Sequence, residues 1–255
     1  MTSPYPKIRL FVESSLLAGA TFALKDGQAH YLMNVMRLNA QEPVAVFNGR
    51  DGEWSAMLRP VSKKKADLQV MERLKPQVSA PDIWLAFAPI KHGRIDFLAE
   101  KATELGVSAL QPVMTARTIV SRVNTERLYA NAIEAAEQCE RMDVPLVQPP
   151  VKLNQLLSQW PQERVLIYGD ETGHGSSPQG LFAQLPTQVR QWAVLVGPEG
   201  GFTPQELEQL HTASFAHGIS LGPRILRADT AALTALSCVM AWRGDWNNKP
   251  RFEGA

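Results

Sequence analysis

Ala193-Val194-Leu195-Val196-Gly197-Pro198-Glu199-Gly200-Gly201-Phe202-Thr203-Pro204-Gln205-Glu206 is the stretch on which the fold of this chain turns. Its first four residues are an unbroken apolar run, as in a strand buried on both faces. Glycines follow at once. Thr203-Pro204-Gln205-Glu206 then has the form of a capping box, with proline at the first helical position. A buried strand, a glycine loop and a helix start in direct succession are the repeating unit of an α/β domain with a parallel sheet.

The same alternation extends in both directions. Upstream, 165–168, 109–113 and 83–88 read as short apolar strands, and 94–105 and 125–142 as helices. In the first of these helices Ile95, Leu98, Ala102 and Leu105 share one face, and Gly106 ends it. Downstream, 219–221 reads as a last strand and 230–242 as a last helix. The pattern stops at Lys75-Pro76-Gln77-Val78-Ser79-Ala80-Pro81, whose prolines and small polar residues mark a linker. The first 75 residues are mostly β. Strands at 44–47 and 53–58 flank Asn48-Gly49-Arg50-Asp51-Gly52, and 66–74 alternates again. A short helix is expected at 29–37. These strands suggest a small barrel, so the expected domains are 1–75 and 76–255.

Composition excludes several classes. The chain of 255 residues is 45% hydrophobic, too apolar for disorder. It holds no apolar run long enough for a membrane span. Its first residues, Met1-Thr2-Ser3-Pro4-Tyr5-Pro6-Lys7, lack the apolar core of a secretory signal. Cys139 and Cys238 form neither a C-x-x-C pair nor a disulfide framework, so a reducing cytoplasmic location is expected. The net charge is +1, but the first 75 residues carry 11 Lys+Arg against 7 Asp+Glu. That basic third fits either a nucleic-acid surface or an ordinary charged one. The five histidines, His30, His92, His174, His211 and His217, show no ligand spacing, and no metal is expected.

Three of the later strands run straight into glycine: Tyr168-Gly169, Val196-Gly197 and Leu221-Gly222. Ligands in open α/β sheets bind outside the carboxyl ends of the strands, and glycine there admits close backbone approach. One crevice built from three loops is therefore the expected site. From the residues alone its ligand stays open. No G-x-G-x-x-G follows a strand and no P-loop is present, which weighs against a dinucleotide-dependent oxidoreductase.

Val196-Gly197-Pro198-Glu199-Gly200-Gly201-Phe202-Thr203, taken with Leu221-Gly222-Pro223-Arg224-Ile225-Leu226-Arg227, resembles the paired signature of the SPOUT methyltransferases. Within these it is similar to the ribosomal RNA small-subunit methyltransferase E family, which methylates N3 of a uridine in 16S rRNA. Lys101-Ala102-Thr103-Glu104-Leu105-Gly106-Val107, Glu137-Gln138-Cys139, His30-Tyr31-Leu32, Val35-Met36-Arg37-Leu38 and Phe47-Asn48-Gly49 agree with it, so the likeness runs from about Arg9 to Asp245. The resemblance implies a PUA-like β-barrel followed by an α/β domain with a parallel sheet and a trefoil knot. It also implies S-adenosylmethionine as cofactor, homodimers, and 16S rRNA, in the small ribosomal subunit, as partner. One departure stands out: the family usually reads Thr-Glu-Thr-Ala after the second arginine, and here Ala228-Asp229-Thr230-Ala231 shortens the carboxylate and loses a hydroxyl.

The expected cofactor residues are Tyr168, Gly169, Leu195, Val196, Gly197, Glu199, Gly200, Gly201, Leu221, Gly222, Ile225, Leu226 and Thr230. Glu199 could face a charged group of the cofactor or cap the helix near Thr203. Deprotonating uridine N3 places negative charge on O2 and O4, which a fixed cation stabilises. Arg224, Arg227 and Arg9 are the candidates, with Asp229 carried over from the family motif. Arg9, Arg37, Arg50, Lys63, Lys64 and Lys65 are expected on RNA phosphates. A non-catalytic RNA-binding assembly factor on the same fold is the alternative.

Overall fold

The computed structural model describes residues 5–39, 42–62, 64–91 and 93–248. Lys63 and His92 lie outside the described residues. The chain divides into two compact units. One comprises Met1–Ser79 with Ala136–Val144, the other Ala80–Ala135 with Pro145–Ala255.

In the first unit, β1 (Arg9–Phe11), β2 (Thr21–Ala23), β3 (Pro43–Phe47), β4 (Glu53–Pro60) and β5 (Ala66–Lys75) form a sheet of order β1-β3-β4-β5-β2. The β3–β4 hairpin is set by local chemistry. Asn48 Oδ1 accepts from the N–H groups of Arg50 and Asp51, an Asx turn. Gly52 follows at φ 88, where a Cβ would collide with the Lys75 carbonyl, so only glycine fits. Asp51 accepts from Leu16 N and Asn48 Nδ2, which holds its carboxyl below the usual range. Every second residue of these strands enters a core of Val44, Val46, Leu58, Leu68 and Val70, closed by Leu10, Leu16 and Leu32.

The helix expected at 29–37 is two pieces. α1 (Asp26–His30) runs into a π-helical turn, Tyr31–Val35. Arg37 ends the turn at φ 51, with Leu38 N donating to the Leu32 carbonyl.

The second unit is a seven-stranded parallel sheet. β6 (Ile83–Phe87), β7 (Ala109–Met114), β8 (Leu146–Val147), β10 (Arg164–Gly169), β11 (Gln191–Val196) and β12 (Ala216–Ile219) take the order β12-β10-β11-β6-β7-β8, and β9 (Val151–Lys152) pairs with β7. Side chains alternate between two cores. Ile167, Val194 and Val196 enter one, with α2 (Arg94–Glu104), α5 (Pro178–Gln184) and α7 (Ala228–Arg243). Leu166, Tyr168, Ala193 and Leu195 enter the other, with α4 (Leu153–Ser158) and α6 (Pro204–Thr212). Among the described residues no helix is long and apolar enough to cross a membrane.

Three boundaries differ from expectation. The helix expected at 125–142 is α3 (Thr125–Gln138), because Glu140 takes φ 61 and turns the chain. Ala136–Val144, which begins in the last turn of this helix, belongs to the first unit, which a contiguous division of the chain does not foresee. The last strand ends at Ile219 rather than starting there. Among the named strands it pairs with β10, and Ser176 bridges to Ile219 on its other side.

Candidate active site

From β6 the chain first adds β7 and β8 on one side, then returns to build β10, β11 and β12 on the other. Such a reversal of winding opens a crevice at the carboxyl ends of the strands. A cavity of about 310 Å³ lies there. It is lined by the loops that leave β10 (Gly169 to Gly173), β11 (Gly197 to Glu199, with Gly201 and Phe202) and β12 (Ser220 to Leu226), and by Ala228 and Ala231 of α7. The three glycine loops do meet.

Each loop is held by its own chemistry. After β10, the buried carboxylate of Asp170 accepts from Thr172 N at 2.9 Å and Thr172 Oγ1 at 2.6 Å, while its other oxygen lies 3.6 Å from His211 Nε2. After β11, Gly197 packs against the Phe202 ring, which an added Cβ would approach to 3.1 Å. Gly201 takes φ 66, with the Glu171 carboxylate in the space a Cβ would need. Beyond it the capping box is complete: Thr203 Oγ1 accepts from Glu206 N, and Glu206 Oε2 accepts from Thr203 N. After β12, Gly222 takes φ 97. Among the described residues the N–H groups of Gly222, Ile225 and Leu226 have no partner within the chain.

Of the expected cofactor residues, Gly169, Val196, Gly197, Glu199, Gly201, Leu221, Gly222, Ile225 and Leu226 line the cavity, and Arg224 joins them. Tyr168, Leu195, Gly200 and Thr230 do not. Tyr168 and Leu195 are register partners across β10 and β11 and point into the opposite core. Burial, with the charge of Asp170 adding to it, pushes the Tyr168 phenol up to about 12. Gly200 faces the side chain of Arg117. Thr230 lies off the face of α7 that presents Ala228 and Ala231. Glu199 is exposed at the cavity, and Glu206 rather than Glu199 caps the helix.

The arginines separate clearly. Arg224 is exposed at the cavity, and among the described residues its side chain has no partner. Arg227 is the exposed N-cap residue of α7 and does not line the cavity. Asp229 sits in the first turn of that helix, where the helix dipole favours a carboxylate, 3.9 Å from Arg94 Nη1. Arg9 is a correction. It is 7% exposed and donates to Glu53 and to the carbonyls of Ala136, Glu137 and Arg141, all within the first unit. With its fork engaged there, it can serve neither chemistry nor RNA. Arg37, Arg50, Lys64 and Lys65 are exposed on the first unit.

Sequence reasoning missed Asp170, Glu171, Phe202 and Arg117. The first two directly follow Gly169 and could have been included as loop residues. Phe202 belongs to the quoted glycine segment. Arg117 carries no local signal, because its partners lie more than eighty positions away.

A sheet wound this way, with a glycine-lined cavity at its carboxyl edge and a separate β unit before it, fits the class that the family models name, a two-domain RNA methyltransferase. The family models agree: residues 78–240 match an RNA methyltransferase domain and residues 24–71 an RNA methyltransferase PUA domain. The chain belongs to the ribosomal RNA small subunit methyltransferase E family of SPOUT methyltransferases. The enzyme of that name from Rickettsia conorii is 32% identical over 233 residues, covering 91% of this chain and 94% of the relative. That from Synechocystis is 34% identical over 236 residues, covering 91% and 77%. The solved structure of the Neisseria gonorrhoeae enzyme bound to S-adenosyl methionine superposes with a TM-score of 0.84 at 30% identity, covering 94% of this chain and 99% of that one.

Proposed function

We propose that this chain transfers a methyl group from S-adenosylmethionine to N3 of a uridine in 16S rRNA. The observation that carries the reading is the single cavity formed by the three glycine loops. Its donor set suits that cofactor. Val196, Leu221, Leu226, Ala228 and Ala231 offer apolar walls for a purine ring, beside the unpartnered N–H groups of Gly222, Ile225 and Leu226. Asp170, Glu171 and Glu199 place carboxylates around the cavity against one guanidinium, that of Arg224, which favours a ligand bearing an ammonium and a sulfonium.

When bound, the cofactor supplies an electrophilic methyl group. The chain contributes position and charge. Arg224, exposed at the cavity with its fork unpaired among the described residues, is assigned to the uracil oxygens, over which the charge of a deprotonated N3 spreads. Arg227, three positions on at the N-cap of α7, is assigned to RNA phosphate. Asp229 is assigned to holding Arg94 and the first turn of α7. Arg37, Arg50, Lys64 and Lys65 give the first unit a phosphate-contacting surface. The same reading takes the second unit as knotted, the enzyme as a homodimer, the assembled small subunit as its setting and the cytoplasm as its location.

Two measurements test it. Titration calorimetry of the folded chain with S-adenosylmethionine should give saturable binding. Mass mapping of 16S rRNA from a strain lacking the gene should show one uridine short of one methyl group, restored by the wild-type chain. Binding without any change in the rRNA would favour the non-catalytic assembly factor instead.

A further inference from the structure

The loop that follows β7 bears on the site without lining it. Arg117 Nη1 donates to the carbonyls of Gly200 at 2.7 Å and Phe202 at 3.2 Å, on either side of Gly201. The aliphatic part of the same side chain fills the space beside Gly200, where an added Cβ would stand 3.4 and 3.5 Å from Cβ and Cδ of Arg117. The neighbouring residue is tied in as well: Ala116 N donates to Glu206 Oε1 at 2.8 Å, while Glu206 Oε2 completes the capping box of α6. The turn at 115–118 therefore holds the glycine loop on either side of Gly201 and the start of α6 beyond it.

Among the described residues the far edge of the Arg117 fork is free. Arg117 is exposed, and among the described residues its Nε and Nη2 have no partner. Arg122 is exposed and likewise unpaired, and Ile119 is 80% exposed. Between Glu104 and Glu126 the chain carries these two arginines and no carboxylate. A guanidinium is a rigid planar fork. The Nη1 edge can stay on main-chain carbonyls while the Nε–Nη2 edge takes a phosphate in bidentate fashion.

Resting on the function proposed above, we propose that Arg117 is a positioning residue that couples RNA to the cofactor loop. An RNA phosphate would dock on its outer edge, while its inner edge holds Gly200 and Phe202. Phosphate on one edge of the fork fixes the orientation of the other. RNA then tightens cofactor binding, and by linkage the cofactor tightens RNA binding by the same factor.

Arg117→Met tests this, because methionine keeps the aliphatic packing on Gly200 and removes the fork. Affinity for S-adenosylhomocysteine, a product that cannot be turned over, is measured by calorimetry with and without small ribosomal subunits from a deletion strain. The wild type should bind it several-fold more tightly when subunits are present. Arg117→Met should lose that enhancement and bind it about fivefold or more weakly in either case, with an unchanged melting temperature. Arg117→Lys, with the charge but no fork, should recover subunit affinity without recovering the enhancement. The proposal is overturned if Arg117→Met binds the cofactor product as the wild type does, if the enhancement persists in it, or if its melting temperature falls in step with the affinity. Wild type that binds no cofactor product at all would instead sink the proposed function.

Discussion

Arg9→Met separates a structural arginine from a catalytic one. The guanidinium holds Glu53 through two bonds, Nε at 2.9 Å and Nη2 at 2.6 Å, with side-chain exposures of 5% and 1%. It also donates to three main-chain carbonyls and lies over the Phe47 ring, 4.5 Å from its centroid. Removing one partner of a buried ion pair leaves the other charge uncompensated, which costs about 3–5 kcal/mol. The carbonyls of Ala136, Glu137 and Arg141 lose a donor at the same time, so the upper part of that range is expected. In a unit of under a hundred residues, each kcal/mol moves the midpoint by roughly 4–8 °C. The first unit should therefore melt at least about 12 °C lower, read as its own transition by scanning calorimetry.

The partner substitution sharpens the test. In Arg9→Met with Glu53→Leu no orphan charge remains, so part of the loss should return, although the carbonyls still lack their donor. Below its melting point the single variant should bind S-adenosylmethionine as the wild type does. A variant that melts within 2 °C of wild type on this scale, yet transfers no methyl group, would refute the argument and restore Arg9 to the chemistry.

Further expectations concern the second unit. Arg224→Ala should lower kcat by roughly 10²–10³, as for loss of one preorganised donor, with cofactor affinity nearly unchanged in calorimetry; an equal loss in both would make Arg224 a cofactor ligand. Gly201→Ala forces alanine to φ 66 and displaces Glu171, so it should cost about 1–2 kcal/mol in denaturant melts and weaken the cofactor; an unchanged melt would mean that the loop relaxes freely. Gly197→Val should abolish cofactor binding, because even a Cβ already crowds the Phe202 ring; retained affinity would remove that loop from the site. Burial holds the His217 imidazole below its usual 6.5, so the unfolded chain takes up its proton first. That contribution to stability is complete above pH 6.5 and fades as pH falls below it, and melts of His217→Gln between pH 5 and 8 should show a flatter profile than wild type.

What the sequence made legible was whatever local chemistry decides. Gly49 and Gly52 are read correctly as turn residues because a left-handed backbone excludes most others, wherever the rest of the chain lies. The Thr203–Glu206 capping box is local for the same reason, its two partners being three positions apart. Strand faces are different. An unbroken apolar run such as 193–196 carries no period-two signal, so nothing in it tells that Leu195 turns from the cavity while Val196 lines it. Charged residues were the least legible. An arginine's role is set by what its fork meets, and that partner is fixed only by the tertiary structure: Glu53, forty-four positions on, for Arg9, and Gly200, eighty-three positions on, for Arg117. A family motif supplies no remedy there, because it transfers a residue without its partner. The same holds for Asp229. Its shorter side chain departs from the family pattern, yet Arg94 on α2 lies near enough to engage it. Whether a methylene matters at that position therefore depends on an arginine 135 positions upstream, which no reading of residues 227–231 alone could bring in.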